Sequence, residues 1–208
     1  MGIQRFALLV LLLVGAFVQD AFVRSQPAGA QAGIPSPKDL LGFTPGDDRK
    51  LASWDQDVEY FKPLDQSSDR LNFEELGKST MGKPFVVATI SSPQNLARLK
   101  EFKEIQDQLA DPRKLGAPAG RDKKAAALIA EGKTIVLITC GIHSTEVGSY
   151  LSSMLIAHRL ASSNEPEIKN ILTNTIVLLV PSLNPDGVDI VKNWYDKTLG
   201  TPYEGTDP

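Results

Sequence analysis

The chain has 208 residues, of which 42% are hydrophobic and 23% charged, and its formal net charge is −3. This composition is typical of a globular protein and excludes a collagen-like, coiled-coil or wholly disordered chain. The single cysteine, Cys140, excludes an internal disulfide framework. The slightly negative charge offers no basic surface of the kind that binds nucleic acid.

The N-terminus carries an apolar run. Phe6 to Val18 is almost entirely hydrophobic and follows Arg5, but it is shorter than the roughly 20 residues that span a bilayer. Small residues after it supply A-x-A cleavage motifs, so we predict a secretory signal peptide over residues 1–30. An uncleaved anchor is the alternative. The prediction implies a secreted or periplasmic protein with no stable membrane insertion after cleavage, and a flexible leader over residues 31–50.

The first elements after the leader are predicted to be a helix and a hairpin. Apolar residues recur at helical spacing over residues 51–61, and Asp47 or Asp48 is available as the cap. Residues 70–76 and 85–90 have the composition of two strands, and the polar sequence GKSTMGKP between them predicts a turn.

Two helices are predicted next. The first starts at Pro93, because proline is tolerated in the first turn, and it ends before Pro112. A loop over residues 113–122 separates it from a short Ala-rich helix over residues 123–131, which ends at Gly132.

The remaining elements alternate between buried strands and helices. Residues 134–139 (TIVLIT) are apolar on both faces, which predicts a central strand covered on both sides. A helix over 145–161 and a second buried strand over 175–180 follow, then a turn at 184–187 and a short helix over 188–194. We therefore predict an α/β fold, with a mixed sheet between two layers of helices.

The strongest chemical signal is the pair His143 and Glu146. His143 follows the strand at 134–139, and ligands bind beyond the carboxyl ends of strands in open α/β sheets. Glu146 comes three residues later, on the same side of a helical turn. An imidazole nitrogen and a carboxylate form a partial ligand set for Zn²⁺, since catalytic zinc usually has three protein ligands and one open position.

Other polar residues have simpler interpretations. His158 lies too far along the next helix to share a metal with His143, and we expect it to pack at the edge of the core. Asp186 and Asp189 follow the next strand, but Asp186 is expected to organise its turn through an Asx hydrogen bond. Cys140 is expected to be a buried apolar residue rather than a nucleophile.

These residues resemble a known family. The strand TIVLIT followed by His143-Ser144-Thr145-Glu146 resembles the H-x-x-E zinc site of carboxypeptidase A-like zinc metallocarboxypeptidases. The hairpin turn GKSTMGKP and the sequence Asn184-Pro185-Asp186-Gly187 are also similar to that family, in the same order along the chain. The resemblance covers roughly residues 50 to 200.

The resemblance implies a three-layer exopeptidase fold, a peptide or protein substrate, and zinc bound by His143 and Glu146. It also implies a third histidine, an Asn-Arg pair that holds the substrate carboxylate, and a general-base glutamate. None of these has a match up to Pro208, so residues 51–208 resemble the N-terminal part of such a catalytic domain, truncated at its C-terminal side. The family's classical members carry arginine where this chain has Thr145.

The resemblance leaves three functions open. The first is a zinc-dependent metallocarboxypeptidase that hydrolyses peptide bonds. The second is a zinc amidohydrolase or deacylase of related fold. The third is a non-catalytic binding protein. For the 208-residue chain itself we expect weak zinc binding and little or no peptidase activity, because two ligands make a poor zinc site.

Overall fold

The computed structural model of the protein describes residues 33–208. The predicted signal peptide and the first residues of the predicted leader lie outside this range. No helix in the described part of the chain is both long and apolar enough to cross a membrane.

In the second half of the described chain, helices alternate with strands as predicted. The helices are α1 (Pro37–Leu41), α2 (Trp54–Ser67), α3 (Pro93–Leu96), α4 (Leu99–Ala110), α5 (Pro118–Glu131), α6 (Val147–Ser162), α7 (Pro166–Asn174) and α8 (Pro185–Thr198). The strands are β1 (Leu71–Lys78), β2 (Pro84–Ile90), β3 (Thr134–Thr139) and β4 (Thr175–Val180). A 3₁₀ helix, Pro112–Leu115, precedes α5.

The strands form one mixed sheet in the order β1-β2-β4-β3. β1 and β2 form the predicted antiparallel hairpin, and β2 is also antiparallel to β4. β3 and β4 are parallel, with Thr134 opposite Thr175 and Thr139 opposite Val180. The carboxyl ends of β3 and β4 therefore lie side by side at one edge of the sheet.

Helices cover both faces of this sheet. Val177 and Leu179 of β4 belong to the main core, which α2 and α6 close from one side. Ile176, the alternate residue of the same strand, packs instead against Phe102 and Ile105 of α4. Full burial of an aliphatic or aromatic side chain contributes about 1.5–3 kcal/mol. The predicted three-layer architecture with a mixed sheet is confirmed.

The prediction for β3 is wrong. Among the described residues β3 is an edge strand that pairs with β4 alone, and Ile135, Val136 and Leu137 are 37%, 38% and 62% exposed. Its neighbour β4 is the buried central strand. The two strands have nearly the same apolar, β-branched sequence, so composition gave no means of ranking them by position.

Several helix limits differ from the predictions, and for α2 a capping residue is the reason. α2 begins after Ser53, whose hydroxyl accepts a hydrogen bond from the Gln56 N–H (3.2 Å), and not after Asp47 or Asp48. The helix predicted from Pro93 is interrupted, giving α3 and α4. The predicted loop at 113–122 contains the first turn of α5, which starts with Pro118.

Residues 33–50 differ from the predicted flexible leader. They include α1, which is capped by reciprocal hydrogen bonds between Ser36 and Asp39. The side chains of Ile34, Leu41 and Phe43 pack against the main core. This apolar contact offsets the entropy cost of ordering the segment.

Candidate metal centre

The loops that leave β3 and β4 continue the contact between the two strands. The Cys140 N–H donates to the Val180 carbonyl (3.0 Å), and the Leu183 N–H donates back to the Cys140 carbonyl (2.8 Å). The β3–α6 loop, residues 140–146, and the β4–α8 loop, residues 181–184, are therefore joined directly beyond the sheet. This is the edge at which open α/β sheets bind ligands.

His143 and Glu146 lie together in the β3–α6 loop. The Glu146 N–H donates to the His143 carbonyl (3.0 Å), which closes one turn. This turn brings His143 Nδ1 to 3.3 Å from Glu146 Oε1. The two side chains are 71% and 63% exposed, so solvent or an ion can reach both donor atoms.

His143 and Glu146 are in direct hydrogen-bonding contact, and their donor atoms are of the types that bind zinc. Two ligand atoms about 2.1 Å from a tetrahedral zinc ion lie about 3.4 Å apart, close to the 3.3 Å between the His143 and Glu146 atoms. Glu146 also lies at the N-terminus of α6, where a carboxylate is favoured by the helix dipole. No set of three or more histidine, cysteine or acidic residues is grouped for metal binding within residues 33–208.

Two hydrogen bonds and a close contact fix the start of the loop. Gly141 has φ +58°, and a Cβ at this position would lie 2.8 Å from Ser182 Oγ. Its N–H donates to Ser149 Oγ (2.9 Å) and its carbonyl accepts from Ser182 Oγ (3.1 Å). Glycine is required here both by the backbone conformation and by the close approach of the two loops.

Ser144, beside His143, faces α8. It is buried, and its hydroxyl has no hydrogen-bond partner in the described structure. A Cβ added to Gly187 of α8 would lie 2.1 Å from Ser144 Oγ and 2.6 Å from Asn184 Nδ2. The first turn of α8 can therefore approach this loop only because residue 187 is glycine.

Asp186 and Asp189 do not join the pair. Asp186 accepts hydrogen bonds from the Ser79 hydroxyl and from the Met81 N–H (3.1 Å), both in the β1–β2 turn. Asp189 accepts from the Trp54 N–H (2.8 Å). The expected Asx hydrogen bond belongs to Asn184, whose Oδ1 accepts from the Gly187 N–H (3.1 Å). The predicted turn at 184–187 is thus the start of α8.

Cys140 and His158 occupy structural positions. Cys140 is buried, and burial raises the pKa of its thiol, which disfavours the thiolate that a nucleophile needs. His158 is half-buried on α6, and burial lowers its pKa while Asp39 and the Ile34 carbonyl oppose that change.

A cavity of about 460 Å³ is lined by residues of α6 and of the loop before it. Its walls include Thr145, Leu151 and Trp194. Neither His143 nor Glu146 lines it, although Thr145, between them in the chain, does.

Sequence reasoning missed the contribution of the β4–α8 loop. Ser182, Asn184 and Gly187 support the His143 loop, although the sequence 184–187 was expected only to form a turn. Asparagine followed by proline is a typical helix start, with Asn184 as N-cap and Pro185 in the first turn, and this signal predicts the helix but not its contacts.

Comparison with known proteins identifies a protein family that matches this chain. The family described as zinc carboxypeptidase matches residues 58–208. No curated protein matches the chain.

Solved structures similar to the chain include thrombin activatable fibrinolysis inhibitor (16% identity, TM-score 0.47, 73% of this chain and 33% of that chain). Carboxypeptidase A from Helicoverpa armigera is 18% identical, with a TM-score of 0.46 over 79% of this chain and 32% of that chain. A metallo-carboxypeptidase from Burkholderia cenocepacia is 17% identical, with a TM-score of 0.39 over 64% of this chain and 27% of that chain. The chain thus spans about a third of the length of these structures.

Proposed function

Because this chain belongs to the zinc carboxypeptidase family, we propose that it forms part of a zinc-dependent metallocarboxypeptidase that hydrolyses peptide bonds in peptides or proteins. His143 and Glu146 are the zinc ligands in this proposal. The observation that carries it is the 3.3 Å separation of His143 Nδ1 and Glu146 Oε1 at the carboxyl end of β3.

The two residues have a binding role and no role in proton transfer. Bound zinc polarises a scissile carbonyl and lowers the pKa of its bound water. The turn that links His143 to Glu146 holds an imidazole nitrogen and a carboxylate oxygen close together, both exposed to solvent. The family resemblance also implies a third ligand and a general base. We propose that both come from residues outside the matched range 58–208.

The proposal includes a location outside the cytoplasm. It is supported by the apolar run Phe6 to Val18 and the A-x-A motifs that follow. N-terminal sequencing of the exported protein tests it, and a start near residue 31 is expected. Recovery of the uncleaved chain would support the anchor instead.

Zinc titration of the chain, followed by amide NMR, tests the metal site. We expect Zn²⁺ to shift the signals of His143 and Glu146, with weak affinity because the described residues supply two ligands. His143→Ala and Glu146→Gln should abolish these shifts. His158→Ala, at the only other histidine, and Glu167→Gln, on an exposed first turn, are the matched controls and should leave them unchanged.

Two results would contradict this assignment. Equal loss of zinc binding in His158→Ala and His143→Ala would place the metal elsewhere. Tight one-to-one binding by the isolated chain would mean that the ligand set is larger than the pair. A form of the protein with a complete ligand set distinguishes two activities. A carboxypeptidase hydrolyses peptides, whereas a deacylase releases the acyl group of N-acyl amino acids.

A further inference from the structure

Three successive carbonyl groups before His143 are held by the β4–α8 loop. The Leu183 N–H donates to the Cys140 carbonyl (2.8 Å), and Ser182 Oγ donates to the Gly141 carbonyl (3.1 Å). The side-chain amide of Asn184 donates to the Ile142 carbonyl (3.4 Å). Three different groups on a three-residue segment thus fix three consecutive peptide units.

The last of these peptide units joins Ile142 to His143. Its orientation fixes where the His143 nitrogen and Cα lie, because the peptide is planar. The His143 side chain itself is 71% exposed. The β4–α8 loop therefore holds the backbone that carries the imidazole, while the imidazole itself contacts Glu146 Oε1.

Asn184 and Ser182 are linked to each other as well as to the loop. Ser182 is fully buried, and its hydroxyl accepts a hydrogen bond from the Asn184 N–H (3.0 Å). Asn184 Oδ1 caps α8 by accepting from the Gly187 N–H (3.1 Å). One asparagine side chain thus connects the first turn of α8 to the peptide that precedes His143.

We propose that Ser182 and Asn184 are positioning residues that hold His143 in place to bind zinc with Glu146. This inference rests on the proposed function. Metal ligands must be held within about 0.5 Å of the productive geometry, and loss of the groups that orient them typically lowers metal affinity about 10–100-fold. Ser182 and Asn184 touch no metal or substrate in this scheme and act only through the loop.

The test variant is Asn184→Ser. Serine is about as good an N-cap as asparagine, so α8 keeps its cap, but the shorter side chain lacks the amide that reaches Ile142. We expect Zn²⁺ affinity, measured by NMR titration of the 208-residue chain, to fall about 10–100-fold. The urea midpoint of unfolding should stay near that of the parent protein.

A second readout does not depend on metal. The Glu146 N–H donates to the His143 carbonyl, so its hydrogen exchange should become faster when the loop loses its support. Ser182→Ala should have the same effect on Glu146 exchange. Ser53→Ala, which removes the N-cap of α2, controls for a general loss of stability and should leave Zn²⁺ affinity and Glu146 exchange unchanged.

The outcomes separate this inference from the proposed function. Unchanged Glu146 exchange in Asn184→Ser overturns the inference, as does unchanged Zn²⁺ affinity in a chain that binds zinc through His143. If Zn²⁺ never perturbs His143 in the parent chain, the proposed function fails. In that case, faster exchange of the Glu146 N–H in Asn184→Ser would still show that Asn184 holds the loop. It would also show that the loop is not held in order to bind zinc.

Discussion

A buried acid in α2 makes the stability of the protein depend on pH. Asp57 is fully buried, and neither carboxylate oxygen has a hydrogen-bond partner within the described residues. Burial raises the pKa of this carboxyl well above its ordinary value. Burial is the main cause that raises the pKa of Tyr150, and a negative charge on Asp57 would raise it further. The variant Asp57→Asn keeps the shape of the side chain and cannot ionise.

The sign of the effect follows from the raised pKa. The folded protein holds the Asp57 proton to higher pH than the unfolded chain does, whose aspartates titrate near pH 3.9. The stabilising contribution of the protonated acid is complete below about pH 4 and is lost as the pH rises toward the folded pKa. Each pH unit within that window costs about 1.4 kcal/mol.

Asp57→Asn should therefore match the parent protein near pH 4 and become more stable than it at higher pH. Both side chains leave buried polar atoms without partners, at a cost of about 1–3 kcal/mol, so this cost cancels in the comparison. The gain of the variant should grow by about 1.4 kcal/mol per pH unit until the folded pKa is passed.

Urea unfolding followed by circular dichroism, repeated in steps from about pH 4 to pH 8, measures this difference. Subtracting the two proteins removes the contribution of the groups that do not interact with Asp57, and Tyr150, whose pKa is raised, stays protonated over this pH range. Asp69→Asn, at an exposed aspartate, is the control and should run parallel to the parent. Parallel curves for Asp57→Asn as well would refute the reasoning, because they would mean that Asp57 titrates alike in the folded and unfolded chains.

The remaining predictions concern the supports of the candidate site. Gly187→Ala should destabilise the protein by about 1–3 kcal/mol, since the new Cβ would lie 2.1 Å from Ser144 Oγ. Gly120 has open space around it, so Gly120→Ala is the control and should be neutral or stabilising in the same urea-unfolding assay. Asp186→Ala should speed hydrogen exchange of the Met81 N–H, which now donates to that carboxylate. Retained protection of Met81 would show that the β1–β2 turn does not depend on Asp186.

The amino-acid sequence by itself determined the local features of this protein. The hairpin β1–β2, the strand character of β3 and β4, and the proximity of His143 to Glu146 each depend on residues close together in the chain. A spacing of three residues in one turn brings the last pair near each other, and the contacts of the β4–α8 loop then hold that turn in place.

The tertiary structure alone decided features that depend on distant residues. β3 and β4 have almost the same sequence, yet β4 is central and β3 is at the edge of the described sheet, because position in a sheet is set by pairing partners. The burial of Asp57 likewise depends on what packs against α2. Ser182 and Asn184 can bind the His143 loop only because two parallel strands end side by side, which brings residues 41 and 42 apart in the chain into hydrogen-bond contact.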